Sequence, residues 1–433
     1  MLSLIASLIP YLFLWVGVAM GQPGKPYHAD KISLNGTWRD AYLNSSPLTR
    51  IEDFQIRTEL DPVYVDAVLR AELKLRTFET AIPSSVKIEG FLFDAEGKEI
   101  PLKGFHAEPS LAENQPVLVT LASPVKNPRK WTAETPYLYS LVIRLQQAEK
   151  IVQEFKTAIG FRQVEIAGMT LRINGVPIEI RGVVTAQTIS TAAGESRENH
   201  WVQEIRLLKE ANINAIRSRW LPLEENFLSL CDQHGIYVIP DVPYGRTKEE
   251  DPRYLPEDLT QQTKVIVDQY TNHPSVILWH AVSKNPQTAI NLGGGRVALW
   301  LREHDPTRPV AVCSNVADPA KYGNTVTDLH YDPLTHVEFK EIYPTPVLFG
   351  EFHAVPDEID RLSDKGFVET WGRSLQLEWT RFMERSWYVA GGLICGWDDG
   401  SVNGNLGLIQ GAAADSKRQK KPVYYYIRKP TRR

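Results

Sequence analysis

The sequence predicts an immunoglobulin-like antiparallel β-sandwich followed by a (β/α)8 barrel. From residue 50 to residue 158, apolar and polar side chains alternate with the period of two that half-buried strands show. From residue 159 to residue 433, eight short β-branched runs alternate with longer amphipathic stretches, the pattern of a (β/α)8 barrel. The chain has 433 residues, more than one hydrophobic core usually supports, so two domains are expected. Ahead of them we expect a signal peptide or anchor at residues 1–21 and a linker at residues 22–49.

The amino-acid composition excludes several classes of ligand and of cysteine site. The formal net charge is −4, without the basic excess that nucleic acid binding requires, so no nucleic acid partner is expected. The 3 cysteines lie far apart without a CxxC pair, which excludes a disulfide framework and a zinc site by spacing. Each cysteine falls in an apolar stretch and is predicted to be a small buried side chain. We expect no metal and no cofactor.

The N-terminal segment indicates export. Residues 2–20 carry no charge and are almost all apolar, and Ala19-Met20-Gly21 supplies the small residues that a signal peptidase reads. A cleaved signal peptide would leave Gln22 as the new N-terminus. An uncleaved segment would instead anchor the protein, and only then would it contact a membrane. The expected location is therefore secreted or periplasmic, with a membrane-anchored form as the alternative.

The strands of the sandwich are predicted from their alternation. Between Ala67 and Arg76, one face carries leucine and alanine while the other carries arginine, glutamate and lysine. Further strands are predicted at Val86 to Phe93, Val117 to Leu121, Leu138 to Leu145 and Ile151 to Phe155. No catalytic residue types gather here, so the sandwich is expected to have a structural role.

The barrel strands are predicted at eight runs. They are Ile178 to Val183, Ile213 to Ser218, Gly235 to Pro240, Val276 to Val282, Pro309 to Cys313, Val326 to Tyr331, Pro346 to Phe352 and Gly391 to Trp397. Helical spacing of apolar residues follows Trp201 and recurs from Leu375 to Val389. In this fold the active site lies at the carboxyl ends of the strands, so the residues there are the candidates.

Those strand ends carry carboxylates, histidines and aromatic rings. Tryptophan faces pack against the C–H face of a sugar ring, and charged groups bind its hydroxyls, so the set predicts a carbohydrate site. The alternative for each residue taken singly is a capping or ion-pairing role. The candidate sugar-binding residues are Trp220, Asp241, His280, His330, Tyr331, His353 and Trp397.

Several motifs resemble the family 2 glycoside hydrolases, which include β-galactosidases and β-glucuronidases. The motifs are Leu34 to Leu43, Trp131 to Tyr139, Gly160-Phe161-Arg162, Ile173 to Pro177, Arg181-Gly182-Val183, Asn272 to Trp279, Asp305 to Val310 and Gly391-Gly392. The resemblance implies that residues 22–49 are a remnant of the family's first, sugar-binding domain, which is otherwise largely missing. It also implies a β-glycoside as ligand.

The resemblance assigns two catalytic positions. The family hydrolyses glycosides with retention, using two glutamates about 5 Å apart on strands four and seven. Glu351 falls on the nucleophile. Counting from Trp279, the position of the acid/base holds Lys284. A lysine with a pKa of about 10.4 is a poor proton donor to a glycosidic oxygen, and loss of general acid catalysis removes about 10²–10⁴ of rate.

Other departures from the family pattern leave three interpretations open. The changed positions include Val184 to Ala186, Trp220, Pro240-Asp241 and Cys395-Gly396. In the first interpretation, the protein is a glycosidase with altered chemistry, in which His280 or Asp241 replaces the acid. In the second, it is a non-catalytic carbohydrate-binding or interaction protein. The third interpretation is a truncated gene product without function. Whether the protein is an enzyme therefore stays open at this point.

Overall fold

The computed structural model describes the chain in segments that form two compact units. The described residues are 31–32, 41–42, 46–80, 85–185, 197–218, 223–242, 256–281, 294–313, 325–331, 345–352, 366, 369–370, 373, 376–377, 380 and 389–394. The first unit contains Met1–Arg129 and Tyr137–Phe161, and the second contains Lys130–Pro136 and Arg162–Arg433. No helix among these residues is long and apolar enough to cross a membrane.

The first unit is built from antiparallel strands. They are β1 (Lys31–Ile32), β2 (Ala41–Tyr42), β3 (Thr49–Leu60), β4 (Ala67–Thr77), β5 (Val86–Phe93), β6 (Glu99–Ile100), β7 (His106–Ala107), β8 (Val117–Val125), β9 (Tyr139–Gln147) and β10 (Lys150–Ile159). One sheet has the order β3-β4-β8, and the other has the order β10-β9-β5-β6, with β7 also paired to β5. The β1–β2 pair forms a separate two-stranded sheet.

The alternation seen in the sequence explains this core. Every second residue of β4 is buried, and Leu69, Leu73 and Leu75 are fully enclosed. The inward residues of the other sheet, including Ile88 and Ile143, belong to the same apolar cluster. Because consecutive strand residues point to opposite faces, each sheet buries one face and solvates the other. The predicted immunoglobulin-like sandwich is confirmed.

The second unit begins with a small antiparallel sheet and continues into the barrel. The small sheet contains β11 (Val164–Ala167), β12 (Thr170–Ile173) and β13 (Val176–Pro177). The barrel strands are β14 (Ile180–Thr185), β15 (Ala215–Ser218), β16 (Tyr237–Pro240), β17 (Trp279–His280), β18 (Val310–Cys313), β19 (Thr325–Tyr331), β20 (Val347–Phe352) and β21 (Val389–Ile394). The helices with full bounds are α1 (Arg197–Glu210), α2 (Glu225–His234), α3 (Pro256–Tyr270) and α4 (Gly294–His304).

The eight strands form a closed parallel barrel. Their order is β16-β15-β14-β21-β20-β19-β18-β17, so each strand lies beside its neighbours in the chain. Two parallel bridges, from Val238 to Val276 and from Asp241 to His280, join the two edges of this sheet. Gly391 has a φ of 137°, and a Cβ there would lie 2.0 Å from the carbonyl oxygen of Ile180, so only glycine allows β21 to approach β14 this closely. The predicted (β/α)8 barrel is confirmed.

The strands match the predicted runs with small differences at their ends. The fourth run, predicted from Val276 to Val282, has regular pairing only at Trp279–His280 and is joined to strand three through isolated bridges. All four residues of β15 and of β16 are buried, as expected for parallel strands covered on both faces. Helix α1 contains the predicted segment after Trp201. Most of the helix predicted from Leu375 lies outside the described residues.

Residues Lys130–Pro136, which precede the barrel in the sequence, belong to the second unit. Trp131 is fully buried, its Nε1 donates to the carbonyl oxygen of Asp232 at 2.9 Å, and its ring contacts Tyr237 edge to face. The carbonyl oxygen of Ala133 accepts a 2.7 Å hydrogen bond from Nζ of Lys209. Residues 131–136 of the motif that carried the resemblance are therefore part of the second unit, whereas Tyr137 to Tyr139 belong to the first.

Candidate functional site

The carboxyl ends of strands two, three, four and seven converge in the barrel. Strand β20 contains Glu351, and its backbone is paired in register with His330 on β19. The pairing is irregular at Gly350. On the β19 side the register partners pass from Phe349 directly to Glu351, and on the β21 side they pass from Phe349 to Phe352. Irregularities of this kind re-aim side chains beside active sites, so the sheet ladder alone does not fix this strand end.

A buried arginine from strand two holds this irregular strand end. Nη1 of Arg217 donates a 2.9 Å hydrogen bond to the carbonyl oxygen of Gly350, the residue before Glu351. Nε and Nη2 of the same guanidinium donate to Oδ1 and Oδ2 of Asp241 at 2.7 Å and 3.1 Å. Arg217 is 1% exposed and Asp241 7%, so the pair is shielded from solvent. A two-point pair of this kind fixes the orientation of the guanidinium as well as its position.

His280 at the end of strand four joins the same network. Its Nδ1 lies 3.1 Å from Oδ1 of Asp241, and its side chain is 1% exposed. The main chain is tied at the same level, since the amide of Val242 donates to the carbonyl oxygen of His280 at 3.0 Å. We call the side chains of Arg217, Asp241 and His280 the buried triad. It links the ends of strands two, three and four to strand seven.

The triad determines the charge of Asp241. Burial by itself would raise the pKa of this carboxyl, but Arg217 and His280 outweigh burial by charge and hydrogen bonding and lower the pKa to about 2. A carboxyl with that pKa is ionised at neutral pH and has no proton to give. The acid role that the sequence left open for Asp241 is therefore not supported. Asp241 and His280 are both buried and contact each other, and Asp241 also accepts hydrogen bonds from Arg217. The sugar-binding role expected for them stays a prediction.

The remaining candidates are described only in part. The backbones of Glu351, His330 and Tyr331 lie in β20 and β19, at the strand ends where the sequence placed them. Lys284, Trp220, His353 and Trp397 lie outside the described residues, and their roles stay predictions. Among the described residues no group of histidine, cysteine, aspartate and glutamate side chains could hold a metal ion. Cys231 is a free and buried thiol, as the sequence predicted. Its burial raises the pKa of the thiol.

Two further arginines fix the segment that leads into strand four. Nε and Nη2 of Arg162 donate to the carbonyl oxygens of Pro274 and Val276 at 2.7 Å and 2.8 Å. Arg308 donates to three carbonyl oxygens of residues 271–276, the shortest hydrogen bond being the 2.6 Å one from Nε to Val276. Both arginines are buried. Because buried guanidinium donors need acceptors, these carbonyl groups are held in one conformation.

The same segment is anchored from the next loop. Oδ2 of Asp305 accepts 2.7 Å and 2.8 Å hydrogen bonds from Nη1 of Arg308 and Nε1 of Trp279. Burial alone would raise the pKa of Asp305, but Arg308, with the hydrogen bonds from Thr307 and Trp279, lowers it. The indole nitrogen of Trp279 is therefore bound by Asp305, which lies outside the strand, while the neighbouring His280 belongs to the buried triad. Strand four is fixed at two levels before the position of Lys284.

Sequence reasoning did not name Arg217, Arg162 or Arg308 as functional residues. The signal for Arg217 was present, since a charged residue interrupts the apolar run from Ile213 to Ser218 and a buried charge requires a partner. Its partner Asp241 is 24 residues away along the chain, so the pairing depends on the neighbouring strands β15 and β16. Arg162 and Arg308 donate mainly to backbone carbonyl groups, and such acceptors are not recognisable from the sequence.

Comparison with known sequences identifies two family regions. Residues 49–162 match the glycosyl hydrolases family 2, and residues 164–345 match the glycosyl hydrolases family 2, TIM barrel domain. The chain is similar to a β-galactosidase of Vibrio cholerae, with 29% identity over 388 residues that cover 86% of this chain and 36% of that protein. A β-galactosidase of Klebsiella pneumoniae is 28% identical over 404 residues, covering 88% of this chain and 38% of the relative. The chain thus spans little more than a third of the length of these relatives.

Solved structures share the fold. Bacteroides uniformis β-glucuronidase 2, covalently bound to cyclophellitol-6-carboxylate aziridine, superimposes with a TM-score of 0.74 at 20% identity, covering 93% of this chain and 54% of the other. A β-D-glucuronidase from Dictyoglomus thermophilum gives a TM-score of 0.64 at 20% identity, covering 92% and 74%. Likeness at this level of identity establishes the architecture.

Proposed function

The chain belongs to the glycosyl hydrolases family 2, and we propose that it acts on or binds β-glycosides through the carboxyl ends of its barrel strands. The observation that carries the proposal is the position of Glu351, on strand seven of the family's barrel and directly after Gly350, whose carbonyl group is held by the buried triad. In retaining glycosidases one of two carboxylates is the nucleophile, and the family resemblance assigns that role to Glu351.

In the proposed reaction, the carboxylate of Glu351 attacks the anomeric carbon of a bound glycoside. A bond forms between its oxygen and that carbon while the bond to the leaving oxygen breaks, giving a glycosyl ester on the protein. Water then attacks the anomeric carbon, releasing the sugar and restoring the carboxylate. Two proton movements accompany these steps, one to the leaving oxygen and one from the attacking water.

Lys284 alters the proton movements rather than the covalent steps. At neutral pH its ammonium group holds its proton too tightly to assist a leaving alkoxide. Natural glycosides with alkyl leaving groups should therefore react slowly, whereas aryl glycosides, whose phenolates leave without a proton, should react through Glu351 alone. The proposed activity is a retaining O-glycosyl hydrolase with impaired acid catalysis.

Lys284 also favours a second candidate function, which is carbohydrate binding without hydrolysis. A protein of this kind would bind sugars through the aromatic and histidine positions predicted at the strand ends, namely Trp220, His330, Tyr331, His353 and Trp397. It would keep the barrel while losing turnover. An assay over several sugars distinguishes the two candidate functions and also identifies the β-glycoside.

Hydrolysis of a panel of aryl β-glycosides tests the two candidates against each other. The panel contains galactosides, glucuronides and glucosides, assayed with and without azide as a second nucleophile. We expect phenol release that Glu351→Gln abolishes and that a matched change on the sandwich surface, Glu154→Gln, leaves intact. Phenol release that survives Glu351→Gln would contradict the nucleophile assignment. If the folded protein binds a sugar by calorimetry but releases no phenol, the second candidate function replaces the first.

We also propose that the protein is exported. The support is the uncharged apolar run at residues 2–20, followed by small residues at the predicted cleavage site. N-terminal sequencing of the protein recovered from a secreting host tests this. A start at Gln22 agrees with cleavage, a membrane-bound product that retains the segment agrees with an anchor, and an uncleaved product inside the cell contradicts export.

A further inference from the structure

His280 is held at the end of strand four by both main-chain and side-chain contacts. A parallel bridge joins Asp241 to His280, and the amide of Val242 donates to the carbonyl oxygen of His280 at 3.0 Å. The imidazole Nδ1 lies 3.1 Å from Oδ1 of Asp241. These backbone contacts do not involve the imidazole.

The contacts of Asp241 pass from His280 to strand seven. Oδ1 of Asp241 is shared between His280 and Nε of Arg217, while Oδ2 accepts from Nη2. The third donor of Arg217, Nη1, reaches the carbonyl oxygen of Gly350 at 2.9 Å. A rotation of the carboxylate would therefore turn the guanidinium plane and move its donor away from strand seven.

Gly350 depends on this hydrogen bond more than its neighbours do. Leu348 and Phe349 have register partners on both β19 and β21, whereas the register shifts across Gly350 on both sides. The peptide of Gly350 is the one that joins it to Glu351. Its orientation sets the direction in which the backbone continues through Glu351 in β20.

We propose that His280 is a positioning residue for Glu351. By binding Oδ1 of Asp241, the imidazole locks the carboxylate on Arg217 and so fixes the Gly350–Glu351 peptide. This proposal rests on the proposed function for its effect on turnover, but its structural part does not need a sugar. Residues that orient the groups of a site through hydrogen bonds act in this way in other enzymes, where a misplacement of about 1 Å costs about 10²-fold in rate.

A matched pair of substitutions isolates the hydrogen bond. His280→Asn places an amide nitrogen near the position of Nδ1 and keeps a donor for Asp241. His280→Leu has nearly the same shape as asparagine and has no donor. If His280→Leu does not fold, His280→Ala takes its place in the comparison. Equal results for the donor and non-donor variants would assign His280 to packing alone.

The first readout is hydrogen exchange of the peptide that contains residues 347–352, measured by mass spectrometry on the full chain. We expect His280→Leu to speed exchange in this peptide by about tenfold relative to peptides of the sandwich, since a lost hydrogen bond to a charged group weakens local stability. We expect His280→Asn to exchange as the wild type does. Equal exchange in the two variants overturns the proposal, whether or not any glycoside is hydrolysed.

The second readout is turnover of the best aryl glycoside. We expect His280→Leu to lower kcat about tenfold to hundredfold with KM within about twofold, and His280→Asn to restore most of kcat. A rise in KM at constant kcat would place His280 in sugar binding and would overturn the positioning role. If the wild type hydrolyses nothing while the exchange result holds, hydrolysis fails as the proposed function and the structural role of His280 stands.

Discussion

Removal of the guanidinium of Arg217 should strongly destabilise the barrel. Arg217→Met keeps most of the length of the side chain but deletes the donors to both oxygens of Asp241 and to the carbonyl group of Gly350. Asp241, 7% exposed, would then be an ionised carboxylate without its guanidinium partner. Loss of one member of a buried ion pair costs about 3–5 kcal/mol, a large part of the 5–15 kcal/mol that stabilises a typical protein.

Urea unfolding of wild type and variant, followed by circular dichroism, measures this cost. An exposed pair in the same unit supplies the control. Arg206 donates to Glu210 at 3.0 Å on the surface of α1, with the arginine side chain 78% exposed. Arg206→Met should change the free energy of unfolding by no more than about 0.5 kcal/mol, because exposed ion pairs of this spacing contribute little.

A double substitution separates the lost charge pair from lost packing. In the Arg217→Met background, Asp241→Asn removes the unpaired charge, so the double variant should be more stable than the sum of the two single effects predicts by about 1–3 kcal/mol. The reasoning is refuted if Arg217→Met costs less than about 1 kcal/mol, or if the two substitutions are additive.

Three further predictions concern neighbouring features of the barrel unit. The pKa of Asp241 is lowered from 3.8 to about 2, so its pairing stabilises the fold above about pH 4 and is lost as pH falls towards 2. The difference in unfolding free energy between wild type and Asp241→Asn should therefore shrink by about 1 kcal/mol from pH 5 to pH 3, and a constant difference would contradict the low pKa. Trp131→Ala should cost about 3–5 kcal/mol in urea unfolding, whereas Trp131→Phe, which loses mainly the indole hydrogen bond, should cost less; equal costs would contradict a role for the buried ring. Gly235→Ala places a Cβ 2.2 Å from the carbonyl oxygen of Ala133, while Gly168→Ala, also at positive φ, meets nothing within 4 Å. Gly235→Ala should lower the thermal midpoint well beyond Gly168→Ala, and equal shifts would show that the contact relaxes freely.

The fold could be predicted from the sequence because local patterns carry it. The leucines between Ala67 and Arg76 mark the buried face of β4, and each of the eight barrel runs overlaps an observed strand. The prediction was least accurate at strand four. Pro274 lies just before the run predicted from Val276 to Val282, and regular pairing is confined to Trp279–His280. Its other contacts include isolated bridges and arginine-to-carbonyl hydrogen bonds, which have no periodic signature in the sequence.

The site was predictable only where a residue belongs to a predicted strand. Glu351 was expected on strand seven, in the run predicted from Pro346 to Phe352, and the structure has its backbone there. The buried triad was not predicted, because its members come from three strands and are 24 and 39 residues apart along the chain. Asp241 and His280 were singled out for their chemistry, but their partners depend on strand register and burial, which only the folded barrel supplies.

The dependence of rate on the leaving group tests most directly whether Glu351 works without an acid at position 284. The measurement is kcat/KM for a series of aryl β-glycosides, from nitrophenyl to unsubstituted phenyl, with wild type, Lys284→Glu and the matched Lys284→Gln. We predict a steep fall in kcat/KM with rising leaving-group pKa for wild type and Lys284→Gln, and a shallower fall for Lys284→Glu, in which a proton donor is supplied. A shallow dependence already in wild type, unchanged by Lys284→Glu, would contradict the account, because it would mean that another residue protonates the leaving oxygen.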